Sequence, residues 1–374
     1  MYQFHEDELE QASLEWLENL GYEIKNGPEI SNDGDYPERN HYADVVLNGR
    51  LEKVLQRINP KASATTVQRA IQQVTVVQSP NLIVSNQVFQ KYITDGIDVE
   101  VRTEDGRNTV EKLWLFDFEN PSANDFLAVN QFTVVEGNNN KRPDVVVFVN
   151  GLPIAVIELK DSTNEAVGIS EAYHQLQTYK QTIPSLFQFN AFLVTSDGVN
   201  ARVGSLTANE ERFMMWRTTN GKTMAPTSMP QLEVLIQGMF QPAVLLDLIR
   251  HFIVFQTDGE KTVKILAAYH QYYAVNKAVE EARRAVSESG DRKIGVIWHT
   301  QGSGKSLSMV FYTGKLVLAM NNPTIVVLTD RNDLDDQLFN TFSISSDLLR
   351  QSPKQAESRS NLKKLLSVES GGII

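Results

Sequence analysis

Two carboxylates and a lysine are spaced along the chain so that a single β-hairpin would bring them together. Short apolar strands flank the segment Asn150 to Leu152, and its Asn-Gly pair is the strongest short signal for a hairpin turn. A turn made of these three residues places Asp144 directly opposite Glu158, with their Cβ atoms ~5 Å apart. Glu158 and Lys160 point to the same face because side chains alternate along a strand. The pattern therefore predicts that Asp144, Glu158 and Lys160 converge.

Such a cluster has the chemistry needed to hydrolyse a phosphodiester bond. Two acids held close together repel each other unless a cation lies between them. Mg²⁺ prefers oxygen ligands and keeps several of its waters, so Asp144 and Glu158 suit it as metal ligands. Lys160 would orient or help to deprotonate the attacking water, or stabilise charge that builds on a phosphate. The hairpin alone leaves an alternative open, in which both acids lie on a solvated strand face and pair with the lysine.

A second group of residues has the composition of a loop that binds the phosphates of ATP. An apolar run over 293–298 predicts a strand, and the pattern that follows predicts a helix from Lys305 to Ala319. The residues between and at the helix start are Gly302, Ser303, Gly304, Lys305 and Ser306. Glycines let backbone amides turn towards a phosphate, a lysine neutralises its charge, and a serine hydroxyl binds Mg²⁺. His299 stands at the first position of the usual pattern, where glycine is the standard residue. The alternative is a glycine-rich connection that binds no ligand.

The surrounding pattern predicts a mixed α/β protein of two domains. Helices are expected at Asp7–Leu20, within Arg50–Val74 with a break at Asn59-Pro60, and at Ser170–Thr182; strands are expected at Trp114–Phe118, Phe132–Val135, Asp144–Val149, Ile154–Leu159 and Ala191–Thr195. This order is typical of a curved sheet flanked by helices. The polar segment Thr257 to Lys261 contains a turn former, so we place the domain boundary there, with a first domain over 1–256 and a second over 257–374. In the second domain a helix is expected over Ala267–Val286, and the strand and helix around the glycine loop, with a strand over Thr324–Leu328, would form a βαβ unit.

The composition excludes several classes of protein. The chain has 374 residues and no cysteine, so disulfides and cysteine–zinc sites are excluded and a reducing compartment fits. No apolar run approaches the ~20 residues that a membrane helix needs, and the polar start is no signal peptide, so we expect a cytoplasmic protein without a membrane partner. The formal net charge of −11 argues weakly against a surface coated in basic residues for nucleic acid, but it leaves room for a local basic channel.

The hairpin residues resemble the core of the PD-(D/E)xK nucleases. The phrase from Val149 to Pro153, followed by Ile157 to Lys160, is similar to the version found in the restriction subunit (HsdR) of type I restriction enzymes. The resemblance implies a restriction-endonuclease-like α/β domain in which the two acids bind Mg²⁺ and the lysine assists catalysis.

Three residues outside the hairpin also match this group of nucleases. Gln175 and Tyr179 fit its Q-x-x-x-Y element, which implies that they support the active site or the nearby DNA backbone. The alternative is a polar helix face with one packed tyrosine. Glu10, in the first helix, occupies the place of an acidic residue that some of these nucleases use as an extra metal contact. An exposed helix glutamate is the alternative for that position.

The second part of the chain resembles the beginning of a superfamily 2 helicase-like motor. Tyr269 to Tyr272 is similar to the segment ahead of the first helicase lobe, where a glutamine reads the adenine edge, which makes Gln271 the candidate. His299 to Ser306 matches the phosphate-loop phrase, and Val327 to Asp335 matches the next helicase motif. The resemblance implies a RecA-like lobe with a parallel sheet that binds ATP. The pattern leaves open whether the polar residues of the last phrase bind a ligand or cap a helix.

A nuclease followed by a motor implies the restriction subunit of a type I restriction-modification system. Such a subunit would cut double-stranded DNA with Mg²⁺, couple cutting to ATP-driven translocation, and act with methyltransferase and specificity subunits. The acidic Walker B motif and the arginine motifs of a second lobe are missing, so we expect the first part of a longer subunit that hydrolyses ATP poorly by itself. One alternative is a nucleic-acid-dependent P-loop motor or switch ATPase without nuclease activity. The other is a scaffold that has lost its chemistry and only docks onto a methyltransferase.

Overall fold

The chain divides into two units, residues 1–250 and residues 251–374, in the computed structural model. The structure describes residues 5–102, 106–160, 168–330, 332–368 and 370–374, with the backbone alone for 332 and 333. Arg331, which belongs to the second helicase-like phrase, lies outside the described residues.

A six-stranded mixed sheet runs through the first unit, in the order β1-β4-β7-β8-β9-β10. Its strands are β1 (Glu23–Asn26), β4 (Phe126–Asn130), β7 (Val145–Val149), β8 (Leu152–Leu159), β9 (Phe192–Ser196) and β10 (Ala201–Gly204). Neighbouring strands are antiparallel except for β1 with β4 and β8 with β9, which are parallel. Every residue of β7 and β8 is buried, which explains why these strands read as almost uninterrupted apolar runs.

Helices of the first unit pack against this sheet or against one another. They are α1 (Glu6–Asn19), α2 (Asn48–Ile58), α3 (Ala64–Thr75), α4 (Leu82–Asp95), α5 (Gly168–Thr182), α6 (Pro184–Phe187), α7 (Gln231–Met239) and α8 (Pro242–His251). α1 contacts β1, β4 and β8, whereas α5 contacts β8 and β9. The helices expected for α1 and α5 are confirmed within two residues, and the break expected at Asn59-Pro60 separates α2 from α3.

The turn of the central hairpin is shorter than the sequence pattern predicts. Asn150 and Gly151 form a two-residue turn in which both residues have positive φ, 55° and 79°, as a hairpin turn of this length requires. Close to the turn, Val149 pairs with Leu152, one residue out of the expected register. A bulge at Ile154 then shifts the register, so that Val145 pairs with Ile157 as expected. The three-residue turn is therefore wrong, but the bulge restores the pairing that matters at the far end of the hairpin.

Two smaller hairpins complete the strands of the first unit. They are β2 (Ile97–Arg102) with β3 (Asn108–Leu113), and β5 (Val134–Glu136) with β6 (Asn139–Lys141). The strand expected over Trp114–Phe118 is wrong. The backbone amide of Trp114 donates to Oδ1 of Asn59 at 2.8 Å, and Phe116 packs against Phe118. Aromatic packing in a loop, and not strand pairing, accounts for this apolar run.

Helices and one hairpin make up the second unit. They are β11 (Ile253–Asp258), β12 (Lys261–Leu266), α9 (Tyr269–Val286), α10 (Lys305–Ala319), α11 (Asn332–Ser343), α12 (Ser346–Leu349) and α13 (Arg359–Leu365). The segment Thr257 to Lys261, where we placed the domain boundary, contains the turn between β11 and β12. The helices expected for α9 and α10 are confirmed.

The βαβ unit expected around the glycine loop is not formed. Residues 293–298 form no strand, and Val296 and Trp298 are 94% and 81% exposed. Residues 324–328 make one parallel bridge, between Ile325 and Ile373. A strand is stable when a neighbouring strand satisfies its backbone amides and carbonyls, and in the described part of the chain none lies beside residues 293–298. The strand predicted over residues 293–298 is therefore wrong. The strand predicted over Thr324–Leu328 is confirmed only as a short parallel pairing, in which the amides of Ile325 and Val327 donate to the carbonyls of Gly372 and Ile374.

One further observation concerns helix length. Among the described residues no single helix is long and apolar enough to cross a membrane, whereas the consecutive pair α7 and α8 passes the same length and composition test with a bend of 76° between them.

Candidate active site and phosphate loop

Asp144 lies directly before β7, at the end of the hairpin that faces away from the turn. Its side chain is 7% exposed, and Oδ2 accepts a hydrogen bond from the backbone amide of Leu159 at 2.7 Å. Its carbonyl accepts from the amide of Gln131, which follows β4. Two neighbouring strands therefore hold Asp144, and the register of the hairpin places it opposite Glu158.

Glu158 is the more deeply buried of the two acids, with 1% of the residue exposed. Its Oε1 atom accepts a hydrogen bond from Nζ of Lys160 at 2.9 Å. Its Oε2 atom is buried and has no hydrogen-bond partner among the described residues. A buried carboxylate oxygen without a partner is costly, because a charged group removed from water needs a compensating donor or cation.

The two acids influence each other's protonation. Burial raises the pKa of Asp144 from its ordinary value of 3.8 to about 6, although the Leu159 amide lowers it. Burial and the neighbouring Asp144 carboxylate raise the pKa of Glu158 from 4.5 to about 8. At neutral pH the pair therefore holds a proton that a bound cation would replace.

Lys160 completes the cluster at the end of β8. Its ammonium donates to Glu158 and to the carbonyl of Leu159 at 2.7 Å, and it lies 3.8 Å from the carboxylate of Glu6. Burial by itself would lower the pKa of Lys160, but the carboxylate of Glu158 outweighs burial and the pKa is raised. Lys160 is therefore a cation and a hydrogen-bond donor.

The three candidate supporting residues surround this cluster. Nε2 of Gln175 donates to the buried hydroxyl of Tyr179 at 2.8 Å on α5, and burial together with the Glu158 carboxylate raises the pKa of that hydroxyl. On α1, Glu10 accepts hydrogen bonds from the side chains of Asn130 and Gln131 at the end of β4. Gln131 also donates its backbone amide to the carbonyl of Asp144, so one residue links Glu10 to the strand end that carries Asp144.

Thr195 is a site residue that the sequence did not reveal. It pairs with Glu158 across the parallel strands β8 and β9, so both side chains point to the same face of the sheet. The residue is fully buried, and its hydroxyl has no hydrogen-bond partner among the described residues. Only the parallel pairing of β9 reveals this neighbour, because nothing in the local sequence distinguishes Thr195 from an ordinary strand residue.

The donor set of this site fits a small, hard cation. Two buried carboxylates face each other, one of their oxygens has no partner among the described residues, and Thr195 on the neighbouring strand adds a hydroxyl, also without one, on the same face of the sheet. No cluster of three or more histidine, cysteine, aspartate or glutamate side chains with metal-binding geometry occurs in the described part of the chain. Two carboxylates with the remaining positions filled by water are the arrangement that Mg²⁺ tolerates, whereas Zn²⁺ requires more protein ligands.

The glycine loop of the second unit leads directly into α10. Gly302 and Gly304 have positive φ, 79° and 81°, and α10 begins at Lys305. The loop therefore enters a 15-residue helix whose first amides and dipole favour an anion. Lys305 is exposed, and its Nζ donates to the carbonyl of His299 at 3.4 Å. Ser303 contacts Nδ1 of the same histidine at 3.3 Å.

Gln271 lies against this loop. Its Nε2 atom donates to the carbonyl of Gly304 at 3.1 Å and to the hydroxyl of Ser308 at 3.4 Å. Its Oε1 atom accepts from the amide of Ala268 and so caps α9. The structure thus brings Gln271 and the five loop residues into one region, and it uses the amide of Gln271 to fix the loop.

Two family models match the chain. Residues 3–212 match the family described as type I restriction enzyme R protein N terminus, and residues 270–374 match the SWI2/SNF2 ATPase family. The chain belongs to the type I restriction enzyme R protein N-terminal family. The resemblance seen in the hairpin and loop phrases is therefore confirmed.

Curated relatives of the chain have names that match this family. It is 43% identical over 377 residues to the type I restriction enzyme HindI endonuclease subunit of Haemophilus influenzae, covering 99% of this chain and 36% of the relative. It is 34% identical over 390 residues to the putative type I restriction enzyme MjaIXP endonuclease subunit of Methanocaldococcus jannaschii, covering 98% and 36%. A Staphylococcus aureus endonuclease subunit, SauMSSORF170P, is 26% identical over 90% of this chain and 33% of its own length. The chain spans about a third of the length of these relatives.

Proposed function

We propose that the chain carries the nuclease site and the start of the ATP-binding motor of a type I restriction subunit. The first domain would be a PD-(D/E)xK nuclease over 1–256, and the second the beginning of a RecA-like lobe over 257–374. The observation that carries the proposal is the convergence of Asp144, Glu158 and Lys160, with one carboxylate oxygen left without a partner. The relatives' names and the second family match support the order of nuclease and motor.

In the proposed reaction each side chain of the cluster has a separate task. Mg²⁺ held by Asp144 and Glu158 would supply positive charge at the scissile phosphate and lower the pKa of the attacking water. Because its pKa is raised, Lys160 would act as a donor that orients the water or stabilises charge on the phosphate, and not as the base. The hydroxyl of Thr195, on the same face of the sheet as Glu158 and without a partner among the described residues, would be a further oxygen available to the cation or its waters, and Gln175 with Tyr179 would line the site.

The ATP site would drive the motor. Gly302 to Gly304 would wrap the phosphates, Lys305 would neutralise them and Ser306 would bind Mg²⁺. Gln271, which contacts the loop, would recognise the edge of the adenine base. The complete subunit would pull double-stranded DNA past a complex with methyltransferase and specificity subunits in the cytoplasm, and cut it.

Single substitutions in the assembled restriction complex test the nuclease assignment. Asp144→Ala and Lys160→Ala should abolish cleavage of unmodified plasmid DNA, whereas DNA-stimulated ATP hydrolysis should persist. Asp98→Ala and Lys112→Ala are matched controls, because these residues form an exposed acid–lysine pair with an Nζ–Oδ1 distance of 2.8 Å on the β2–β3 hairpin. Normal cutting by the Asp144→Ala complex would show that the site assignment is wrong, whereas no cutting by the wild-type complex would favour a motor without nuclease activity.

A further inference from the structure

The hairpin β5–β6 is an exposed arm that leads directly into the candidate nuclease site. Glu136 pairs with Asn139 around a tight turn at Gly137, whose φ is 57°. After β6 the chain continues through Arg142 and Pro143 to Asp144. Residues 137–140 and Arg142 are exposed, and Lys141 is half-buried. We name residues 137–142 the basic arm.

The base of the arm is held by the rest of the first unit. The amide of Val135 donates to the carbonyl of Tyr42 at 3.1 Å, in the loop that precedes α2. Oε2 of Glu136 accepts from the amide of Ser185 at 3.0 Å, at the start of α6, and β6 contacts α5. Fixed at its base and open at its tip, the arm presents its side chains to solvent in a defined position beside the site.

The side chains of the arm are unusual for a strand pair. The exposed positions carry Asn138, Asn139 and Asn140, although asparagine is depleted in strands. Neither Lys141 nor Arg142 makes a salt bridge with the residues that the structure describes. The side-chain amide of Asn139 donates to the carbonyl of Glu136 within the hairpin at 3.4 Å, and the two cations have no acidic partner among the described residues. The arm therefore offers two cations and the amides of Asn138 and Asn140 to a ligand.

The position of these cations matters because the site itself is acidic. Glu6 lies 3.8 Å from Lys160, and Glu10 is linked through Gln131 to the strand end that carries Asp144, so two further acids surround the Asp144–Glu158 pair. A DNA strand approaching this cluster is repelled unless other cations neutralise its phosphates. Arg142 is two residues from Asp144, a separation of at most about 7 Å along the chain. If one phosphate of a DNA strand lies at Asp144, the side chain of Arg142 can therefore reach the next phosphate.

We propose that the basic arm binds the DNA backbone beside the phosphate to be cleaved. Arg142 and Lys141 would contact adjacent phosphates, and the asparagine amides would contact the backbone or groove next to them. The proposal rests on the proposed nuclease function, because it names how the same site receives its substrate. It adds a contact surface to that function and needs no change in the arm's conformation.

Duplex binding by the full chain in EDTA tests the arm apart from cleavage. For Lys141→Gln/Arg142→Gln we expect about tenfold weaker binding at low salt, and a slope of log affinity against log salt smaller by about 2, since each phosphate contact contributes about 0.9. Lys53→Gln/Lys61→Gln removes two exposed cations of α2 and the turn after it, and should leave both quantities unchanged. The same slope and affinity in the arm variant and the control, or no duplex binding by the wild-type chain, would overturn the proposal.

A cross-linking experiment locates the contact. The chain has no cysteine, so Asn139→Cys creates a single attachment point for a photoactivatable cross-linker, and Lys53→Cys is the matched control. We expect DNA cross-links from position 139 and none above background from position 53. Equal yields from the two positions would refute the proposal that the basic arm binds DNA. Asp144→Ala separates the two proposals, because it should leave cross-linking intact while cleavage by the assembled complex is lost. DNA binding that depends on the arm, combined with normal cleavage by Asp144→Ala, would contradict the nuclease assignment but still support DNA binding by the arm.

Discussion

Replacing Glu158 with glutamine should stabilise the metal-free protein at alkaline pH and change little at acidic pH. Glutamine has the shape of a protonated glutamate, so it keeps the packing around a residue that is 1% exposed. In the unfolded chain a glutamate loses its proton near pH ~4.3, whereas the folded protein holds the proton of Glu158 to about pH 8. Between these pH values the folded state binds more protons than the unfolded state, so the free energy of unfolding falls as pH rises.

The size of the stability change follows from the difference between the pKa of Glu158 in the folded and unfolded states. One pKa unit corresponds to about 1.4 kcal/mol, so a rise from 4.5 to about 8 corresponds to a penalty of about 5 kcal/mol for the ionised group above pH 8. Water penetration and side-chain relaxation reduce this penalty. We therefore expect the free energy of unfolding of Glu158→Gln to exceed that of wild type by at least about 2 kcal/mol at alkaline pH. For a unit of this size that is a gain of at least about 4 °C in melting temperature.

The assay is thermal and denaturant unfolding of the full chain in EDTA between pH 5 and pH 9. Glu29→Gln, which removes an exposed carboxylate of the same unit, is the control and should show no such trend. Mg²⁺ should stabilise the wild-type protein at pH 8 but not Glu158→Gln, because the cation takes the place of the proton. A difference between Glu158→Gln and wild type that stays constant from pH 5 to pH 9 would refute the reasoning.

Three further substitutions test other parts of the structure. Gly151→Ala should lower the free energy of unfolding by more than about 2 kcal/mol in denaturant titrations, because its φ is 79° and a Cβ would lie 2.5 Å from the carbonyl oxygen of Leu47; wild-type stability would contradict the turn geometry. Gly304→Ala should weaken binding of a fluorescent ATP analogue about tenfold or more, because a Cβ would lie 2.8 Å from Nε2 of Gln271; unchanged affinity would show that the loop is not the phosphate site. Lys305→Ala should leave Mg²⁺ binding to the nuclease site intact but abolish linearisation of a one-site plasmid by the assembled complex, since the motor would stop. Equal linearisation would mean that the nuclease acts independently of ATP.

The sequence by itself determined which three residues form the centre of the candidate site. Asn150 and Gly151 signal a hairpin through their tolerance of positive φ, and the two-residue period of a strand then places Asp144, Glu158 and Lys160 on one face. The glycine loop is also a local signal, because Gly302 and Gly304 allow its positive φ angles and the helix after it begins at the next residue, although Gln271 helps to fix the loop. Such features can be predicted from the sequence because they depend on the backbone angles φ and ψ of single residues and on residues that are close together in the chain.

Tertiary structure decided what depends on partners distant in the chain. The bulge at Ile154, and not the turn, sets the register at Glu158, and the parallel strand β9 brings Thr195 beside it. The same dependence explains why residues 293–298 have a strand-like sequence but form no strand. A strand is defined by the neighbour that hydrogen-bonds to it, and local apolar pattern cannot specify that neighbour. The protonation of Glu158 likewise depends on burial and on an acid from the opposite strand, which exist only after the sheet has formed.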